Sequence, residues 1–331
     1  MNIPNADQSR WPKGGTQTPD TRSDCLSQFG LDIPWQVPAF SQADEHVPQR
    51  DPAYRFMPAA TRAILSGFAH NRRVYIHGPH GSGKSSHIEQ VAARLNWPCV
   101  RINLDGHVTR ADLIGRDMVV LRDGKQVTEF VPGILVWALQ RPIALIFDEY
   151  DAGRPDVMFV IQRLLESDGR LTLLDQNQVL TPHPAFRLFA TGNTIGLGDA
   201  SGLYAGSQVL NQAQLDRWQL VVELSYPTAE QERAILQARL PTLEPDVLAN
   251  MVTMAGLCRR AYQQGDLSTL MSLRTLITWG ENTLLLDDML EAFQLTFLNR
   301  SDEPERALLA EFFQRCFNQE LSLPNDASQP Y

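Results

Sequence analysis

Lysine is nearly missing from this 331-residue sequence. Of its 29 basic residues only Lys13, Lys84 and Lys125 are lysines, and the rest are arginines. Acidic residues number 38, giving a formal charge of −9. That balance excludes a general nucleic-acid coat, although a local basic channel stays open. Cysteine is sparse too. Cys25, Cys99, Cys258 and Cys316 stand apart with no CxxC pair, which excludes a disulfide framework and a zinc knuckle. Reduced thiols in a cytoplasmic protein are the expectation. No apolar run approaches the roughly 18 residues of a membrane-crossing helix. The first 25 residues are polar and lack the apolar stretch of a signal peptide. What is present suits a globular protein: 43% hydrophobic and 20% charged residues, over a length fit for one large or two modest domains.

The texture changes along the chain. Residues 1–50 hold six of the 21 prolines, and polar turn formers dominate up to about Gln28. This predicts a loose lead-in, followed by a more apolar stretch, Phe29–Phe40, that docks as an extended arm. From Asp51 short apolar strands alternate with helices. Helices are predicted at Pro58–His70, Lys84–Leu95 and Asp156–Ser167. Strands are predicted at Val74–His77, Cys99–Asn103, Ile143–Phe147 and Phe186–Thr191. Such alternation predicts an α/β fold, a parallel sheet covered by helices on both faces. Two insertions interrupt it. Met118–Leu121 and Gln126–Phe130 flank Asp123-Gly124, a strong hairpin signal, and Leu171–Leu174 and Gln178–Leu180 flank Asp175-Gln176-Asn177. Both are read as hairpins standing off the core. After Tyr226 the pattern is helical, with Thr228 and Gln231 spaced as a capping box. Near the end Leu308, Leu309, Phe312, Phe313, Cys316 and Phe317 form one helix stripe, read as core packing rather than a partner face. The division is therefore an arm (1–50), an α/β core (51–225) and a small all-α lid (226–331).

Chemistry enters at Gly78-Pro79-His80-Gly81-Ser82-Gly83-Lys84-Ser85, with Ser86 next, which fits G-x-x-x-x-G-K-[ST] between a strand and a helix. Glycines let backbone N–H groups wrap phosphates, and the helix start adds positive partial charge. Lys84 would reach the β- and γ-phosphates of ATP, and the Ser85 hydroxyl would ligate Mg²⁺. The strand Ile143–Phe147 then runs into Asp148-Glu149, two carboxylates at the edge where such sheets bind ligands. Asp148 would hold Mg²⁺ and Glu149 would polarise the attacking water. The next strand ends in Gly192-Asn193, an amide placed to position water and sense the γ-phosphate. Arg217 follows as a candidate finger reaching a neighbouring subunit's nucleotide, and Arg274 as a cation for the γ-phosphate of its own subunit. His77, His80 and His87 lie near the loop, where packing and polar contacts account for them better than a metal does.

This ordered set resembles the AAA+ ATPases: Walker A, Walker B with its Asp-Glu, sensor 1 at Asn193, finger at Arg217, sensor 2 at Arg274. The two hairpins resemble the helix-2 and pre-sensor inserts of the MoxR and chelatase branch. Several blocks are similar to the ATPase subunits of aerobic cobaltochelatase, the CobS family. They include Phe68–Val74, His87–Arg101, Asp148–Phe159, Thr172–Asn177, Asn211–Trp218, Val37–Ser41 and Asp44–Pro48. The resemblance covers roughly residues 26–300. It implies an AAA+ P-loop core with a helical lid, ATP at the core–lid junction and at the seam between subunits of a ring, and a hexamer by default. It also implies two partners: a CobT-like subunit with a metal-ion-dependent adhesion domain, and a large CobN-like subunit that binds the corrin. Together they would insert Co²⁺ into hydrogenobyrinic acid a,c-diamide at the expense of ATP, with neither nucleic acid nor membrane involved. This chain lacks the adhesion motif itself, since Asp199-Ala200-Ser201-Gly202-Leu203 fails DxSxS at its last position. Asn103 resembles the polar residue that restrains the catalytic glutamate in many AAA+ proteins, and strand capping accounts for it equally well. Two other readings stand beside the first. One is a MoxR-like ATPase remodelling a different protein complex. The other is a nucleotide-gated platform in which hydrolysis is incidental.

Overall fold

The computed structural model describes residues 17–122, 124–166, 168–196 and 209–321. Lys13, the Asp199–Leu203 text and the C-terminal tail from 322 lie outside the described residues. The chain forms two compact units. One comprises residues 1–51, 56–79 and 84–224; the other comprises 52–55, 80–83 and 225–331.

In the first unit the elements run β1 (Thr21–Ser23), α1 (Cys25–Phe29), β2 (Val37–Ala39), α2 (Pro58–His70), β3 (Val74–His77), α3 (Lys84–Arg94) and β4 (Cys99–Asn103). Then come α4 (Arg110–Ile114), β5 (Gly115–Arg122), β6 (Lys125–Pro132), α5 (Ile134–Leu139), β7 (Ala144–Asp148) and α6 (Pro155–Leu165). The unit closes with β8 (Leu171–Leu173), β9 (Gln178–Leu180), β10 (Arg187–Gly192), α7 (Gln212–Leu215) and β11 (Leu220–Glu223). Five strands form one parallel sheet in the order β11-β3-β10-β7-β4.

Successive side chains of a strand point to opposite faces, so a sheet covered on both sides needs apolar residues at every position. The central strands obey this. Tyr75, Leu145, Phe147, Leu188 and Ala190 enter one core with residues of α5 and α6. Their neighbours Val74, Ile76, Ala144, Ile146 and Phe189 enter the opposite core with α2 and α3. Helix α2 begins with Pro at its first turn and stops at Asn71, which adopts the left-handed conformation (φ 52°).

The described part of the arm is not loose before Gln28, contrary to what its composition predicts, whereas Phe29–Phe40 packs into the second core as expected. Its polar lead-in holds β1 and α1, because Asp24 caps the helix by accepting from the amides of Leu26 and Ser27. Strand β1 pairs antiparallel with β2, and Val37, Ala39 and Phe40 are buried in the second core. The Phe40 ring meets Trp97 edge-on with centroids 5.2 Å apart, and its amide donates to the Leu95 carbonyl at 2.9 Å.

The two hairpins form, but only one stands off the core. Strands β5 and β6 pair from Gly115↔Pro132 out to Arg122↔Lys125, and Val119 and Leu121 are exposed. The second hairpin, β8 with β9, instead buries Leu171, Leu173 and Leu180 in the first core. Its turn closes through Asn177 at φ 48°.

The second unit is helical: α8 (Ala229–Arg239), α9 (Pro245–Gln264), α10 (Leu273–Leu286), α11 (Met289–Thr296) and α12 (Glu303–Phe317). The Thr228–Gln231 capping box opens α8. Leu309 and Phe313 of α12 are fully buried with Trp279 and Phe293, and Leu308, Phe312, Cys316 and Phe317 pack against that core. The C-terminal stripe is thus core packing. None of the described helices is long and apolar enough to cross a membrane.

Phe68 is fully buried between Trp97 and Phe189, with ring centroids 5.0 Å from each. Removing its ring would leave a cavity in the second core. Phe68→Ala should destabilise the first unit by about 3–5 kcal/mol, measured by urea titration of tryptophan fluorescence.

Candidate nucleotide site

The sheet order brings the tips of β3, β7 and β10 side by side, with β10 between the other two. The glycine-rich loop leaves β3 and enters α3 at Lys84. Gly78 stands at φ 153°, and a Cβ there would lie 2.2 Å from the Leu224 carbonyl oxygen, so only glycine fits. Lys84 is buried. Its Nζ donates to the Gly78 carbonyl at 2.9 Å, to the Pro79 carbonyl at 3.0 Å and to Asn193 Oδ1 at 3.0 Å. Two expected site residues, one opening α3 and one just past β10, thus meet on one ammonium. Burial pushes the Lys84 pKa down to about 8, against the opposing pull of Asp148, Asp151 and Glu149.

Asp148 ends β7. Its Oδ1 accepts from Ser85 Oγ at 2.5 Å and from the Thr191 hydroxyl, and Oδ2 faces Arg101 Nε at 3.2 Å. A carboxylate and a serine hydroxyl at the mouth of a phosphate loop are hard oxygen donors of the kind Mg²⁺ prefers, so the residues fit that ion. Glu149 follows at φ 54°, a left-handed backbone that costs a non-glycine residue about 1–3 kcal/mol and recurs at functional sites. Its half-buried carboxylate accepts no hydrogen bond among the described residues. Asn103 lies opposite Asp148 in the β4–β7 register and is exposed.

The residues of the loop's tip group with the helical unit. There Tyr226 Oη donates to the His80 carbonyl at 2.5 Å, and a Cβ on Gly81 would meet Ser272 Cβ at 2.3 Å. Ser82 is buried, while Gly83 and Ser86 are half-buried. Arg274 is exposed in the first turn of α10, behind the N-cap Ser272. Arg217 is not drawn to the carboxylates of its own chain's loop. Its Nε donates to Glu166 Oε1 at 2.7 Å, and its Nη1 donates to the Ala213 carbonyl.

Two of the histidines near the loop are packed, while His80 is exposed and its carbonyl accepts from Tyr226. His87 is 1% exposed, shares a 2.8 Å hydrogen bond with Thr61 Oγ1, and burial pushes its pKa down to about 3. His77 stacks on Tyr75, and burial lowers its pKa in spite of Glu223. Four contributors escaped the sequence reading: Arg101, Thr191, Tyr75 and Asp151. Thr191 carried a signal, a hydroxyl just before Gly192-Asn193 at a strand end. Asp151 lay two residues past Glu149, without a motif to mark it.

The Lys84 environment has a measurable consequence in the nucleotide-free protein. Between pH about 8 and the ordinary lysine value of 10.5, the unfolded chain keeps the proton that the folded chain releases. Stability therefore gains a rising component with pH over that window, and the component is lost at lower pH, where both states are charged. The difference in urea midpoint between wild type and Lys84→Met should move in the wild type's favour as pH rises through the window. A pH-independent difference would contradict the burial of Lys84.

Comparison with known proteins follows this geometry closely. Residues 73–207 match the AAA domain of the dynein-related subfamily, and residues 16–47 match the N-terminal region of cobaltochelatase CobS subunits. The chain is 59% identical over 307 residues to the aerobic cobaltochelatase subunit CobS of a Sinorhizobium species, covering 92% of both chains. It is 26% identical over 228 residues to the denitrification regulatory protein NirQ of Stutzerimonas stutzeri, covering 68% of this chain and 77% of NirQ. A similarity to midasin of Dictyostelium discoideum, 30% identical over 172 residues, spans 50% of this chain and 3% of midasin. The RuvB branch-migration motor of Thermotoga maritima superposes with a TM-score of 0.44 at 14% identity, over 75% of this chain and 69% of that one. The sheet and loop described above are those of a nucleotide-binding AAA+ ATPase, and the chain belongs to the CobS family of aerobic cobaltochelatase subunits.

Proposed function

We propose that this chain is the ATP-hydrolysing motor subunit of an aerobic cobaltochelatase, driving Co²⁺ insertion into hydrogenobyrinic acid a,c-diamide during cobalamin biosynthesis. One observation carries this reading: 59% identity to a CobS subunit along 92% of both chains, joined to an intact Lys84–Asn193 and Ser85–Asp148 constellation. In this reading residues 51–225 are the ATPase core, 226–331 the helical lid and 1–50 an arm. The protein works in the cytoplasm.

The proposed roles follow from chemistry at each atom. The Gly78–Ser86 loop wraps the triphosphate with the backbone N–H groups of its residues other than Pro79, and Lys84 exchanges its carbonyl partners for phosphate oxygens, a better match for a buried ammonium. Ser85 and Asp148 hold Mg²⁺, which when bound neutralises charge developing on the phosphates. Glu149, with no competing hydrogen bond, is free to take the proton of the attacking water. Asn193 orients that water and reads the γ-phosphate through its contact with Lys84. Arg274 serves its own subunit's nucleotide. Arg217 exchanges Glu166 for the γ-phosphate of a neighbour in a homo-oligomeric ring, expected to be a hexamer. The ring acts on a CobT-like partner with a metal-ion-dependent adhesion domain and a CobN-like corrin-binding partner, and the exposed β5–β6 hairpin is a candidate lever against them.

Purified Glu149→Gln should bind ATP as wild type does and lose turnover by about 10²-fold or more. Lys84→Ala should weaken ATP binding itself. Unchanged ATPase rates in both variants would contradict the proposed roles.

A further inference from the structure

We propose that Asp151 is a positioning residue for ATP turnover, its buried carboxylate fastening the sensor turn at Asn193 to the backbone turn that presents Glu149. This rests on the ATPase reading above and extends it to a residue with no assigned task.

Asp151 belongs to a short 3-10 turn, Tyr150–Ala152, that starts directly after Glu149. The turn closes on Glu149 itself, whose carbonyl accepts from the Ala152 amide at 2.8 Å. Asp151 is 1% exposed. Placing a carboxylate there is costly unless strong donors meet it. Three such donors come from the turn that follows β10. Asp151 Oδ2 accepts from the Asn193 amide at 3.0 Å, the Thr194 amide at 2.8 Å and Thr194 Oγ1 at 3.0 Å. Hydrogen bonds to a carboxylate oxygen are the stronger kind, and here two amides and a hydroxyl converge on one atom.

A second tether holds the same turn. Tyr75 Oη, from β3, donates to the Thr194 carbonyl at 2.6 Å. The turn is drawn so close that a Cβ on Gly192 would lie 2.0 Å from Tyr75 Oη and 3.0 Å from Asp151 Oδ1. Glycine at 192 is therefore a requirement of the clamp. On its far side Asn193 Oδ1 accepts from Lys84. One continuous set of contacts thus runs from the Glu149 turn through Asp151 to Asn193 and on to the lysine of the phosphate loop.

The geometry sets what the clamp does. Glu149 and Asn193 sit on different strands, yet both must address one water molecule. Nothing in their own strands fixes the distance between them after the strands end. Asp151 fixes it, because its side chain grips the Asn193 backbone while its own turn closes on the Glu149 carbonyl. Misplacement by about 1 Å costs such a step on the order of 10²-fold. Binding of the phosphates depends on the loop and Lys84 and should be spared.

The test uses the full chain. Steady-state ATPase assays give kcat and KM, and a fluorescent ATP analogue gives affinity, for wild type, Asp151→Ala, Asp151→Asn and Glu149→Gln. Asp151→Ala should lower kcat by about 10- to 100-fold with KM and affinity held. Asp151→Asn keeps the shape and an acceptor oxygen but gives up the charge, so it should fall in the same direction by less. If the alanine variant fails to fold, the asparagine variant decides. A folded Asp151 variant with wild-type kcat would overturn the proposal, and so would loss of affinity in proportion to loss of turnover, the mark of a structural role alone. Glu149→Gln separates the two levels. If it loses turnover while the Asp151 variants keep theirs, only this inference fails. If it keeps turnover, the ATPase reading fails and the clamp has nothing to position.

Discussion

The Asp148 carboxylate is the point on which the site depends. It stands at the end of β7, where donors from three other elements meet it: Ser85 from the first turn of α3, Thr191 from β10 and Arg101 from β4. That meeting is a consequence of strand order and register. Ala190 pairs with Phe147 on one side and Asn103 pairs with Asp148 on the other. A slip of one residue in either pairing would turn these side chains to the wrong face. The register in turn is held by unbroken burial of the central strands, every residue of β10 included. Core packing and site chemistry are therefore one constraint.

Charge is used sparingly around this point. Lys84 is one of only three lysines and is buried, while the arginines nearby are partnered by carboxylates or carbonyls. Arg187 shows the pattern inside the core. Its guanidinium donates to the Phe68, Pro184 and Phe186 carbonyls and lies over Trp97. The helical unit has its own example. Arg259 pairs with the buried Glu232 at 2.7 Å, donates to the Met271 carbonyl and lies 4.3 Å from the Tyr226 ring centroid. A planar, forked cation suits these shared sites better than an ammonium does. Lys84 is the exception, and its proposed role on the phosphates calls for reach and the freedom to exchange partners.

The core of the fold was legible because both of its signals are local. Continuous apolar runs marked β3, β4, β7 and β10, and the capping box marked α8. Strand β11 was missed because its place in the sheet rests on pairing with β3, whose residues lie 146 positions earlier in the chain. The arm was misjudged for a different reason. Its helix α1 rests on a cap by Asp24, and its strands pair with each other across the intervening residues 24–36, neither of which composition reveals. The second hairpin was expected to stand off the core, but its leucines Leu171, Leu173 and Leu180 are buried in the first core. In the site, the motif residues were readable one by one. Asp151 and Arg101 were not, because their meaning lies in partners 42 and 47 positions away. Arg217 was found, but its pairing with Glu166 was not.

What the family assignment adds is a client for this machinery. A P-loop, a strand-end Asp-Glu and a sensor amide describe an ATPase but not its work. The CobS relationship, extending through the N-terminal region and along 92% of the chain, supplies that. The most direct measurement is cobalt insertion by the chain reconstituted with a corrin-binding large subunit and an adhesion-domain subunit, with ATP and with a non-hydrolysable analogue. Insertion with ATP and none with the analogue is the predicted result. Equal insertion with both, or insertion without this chain, would contradict a motor that works by hydrolysis.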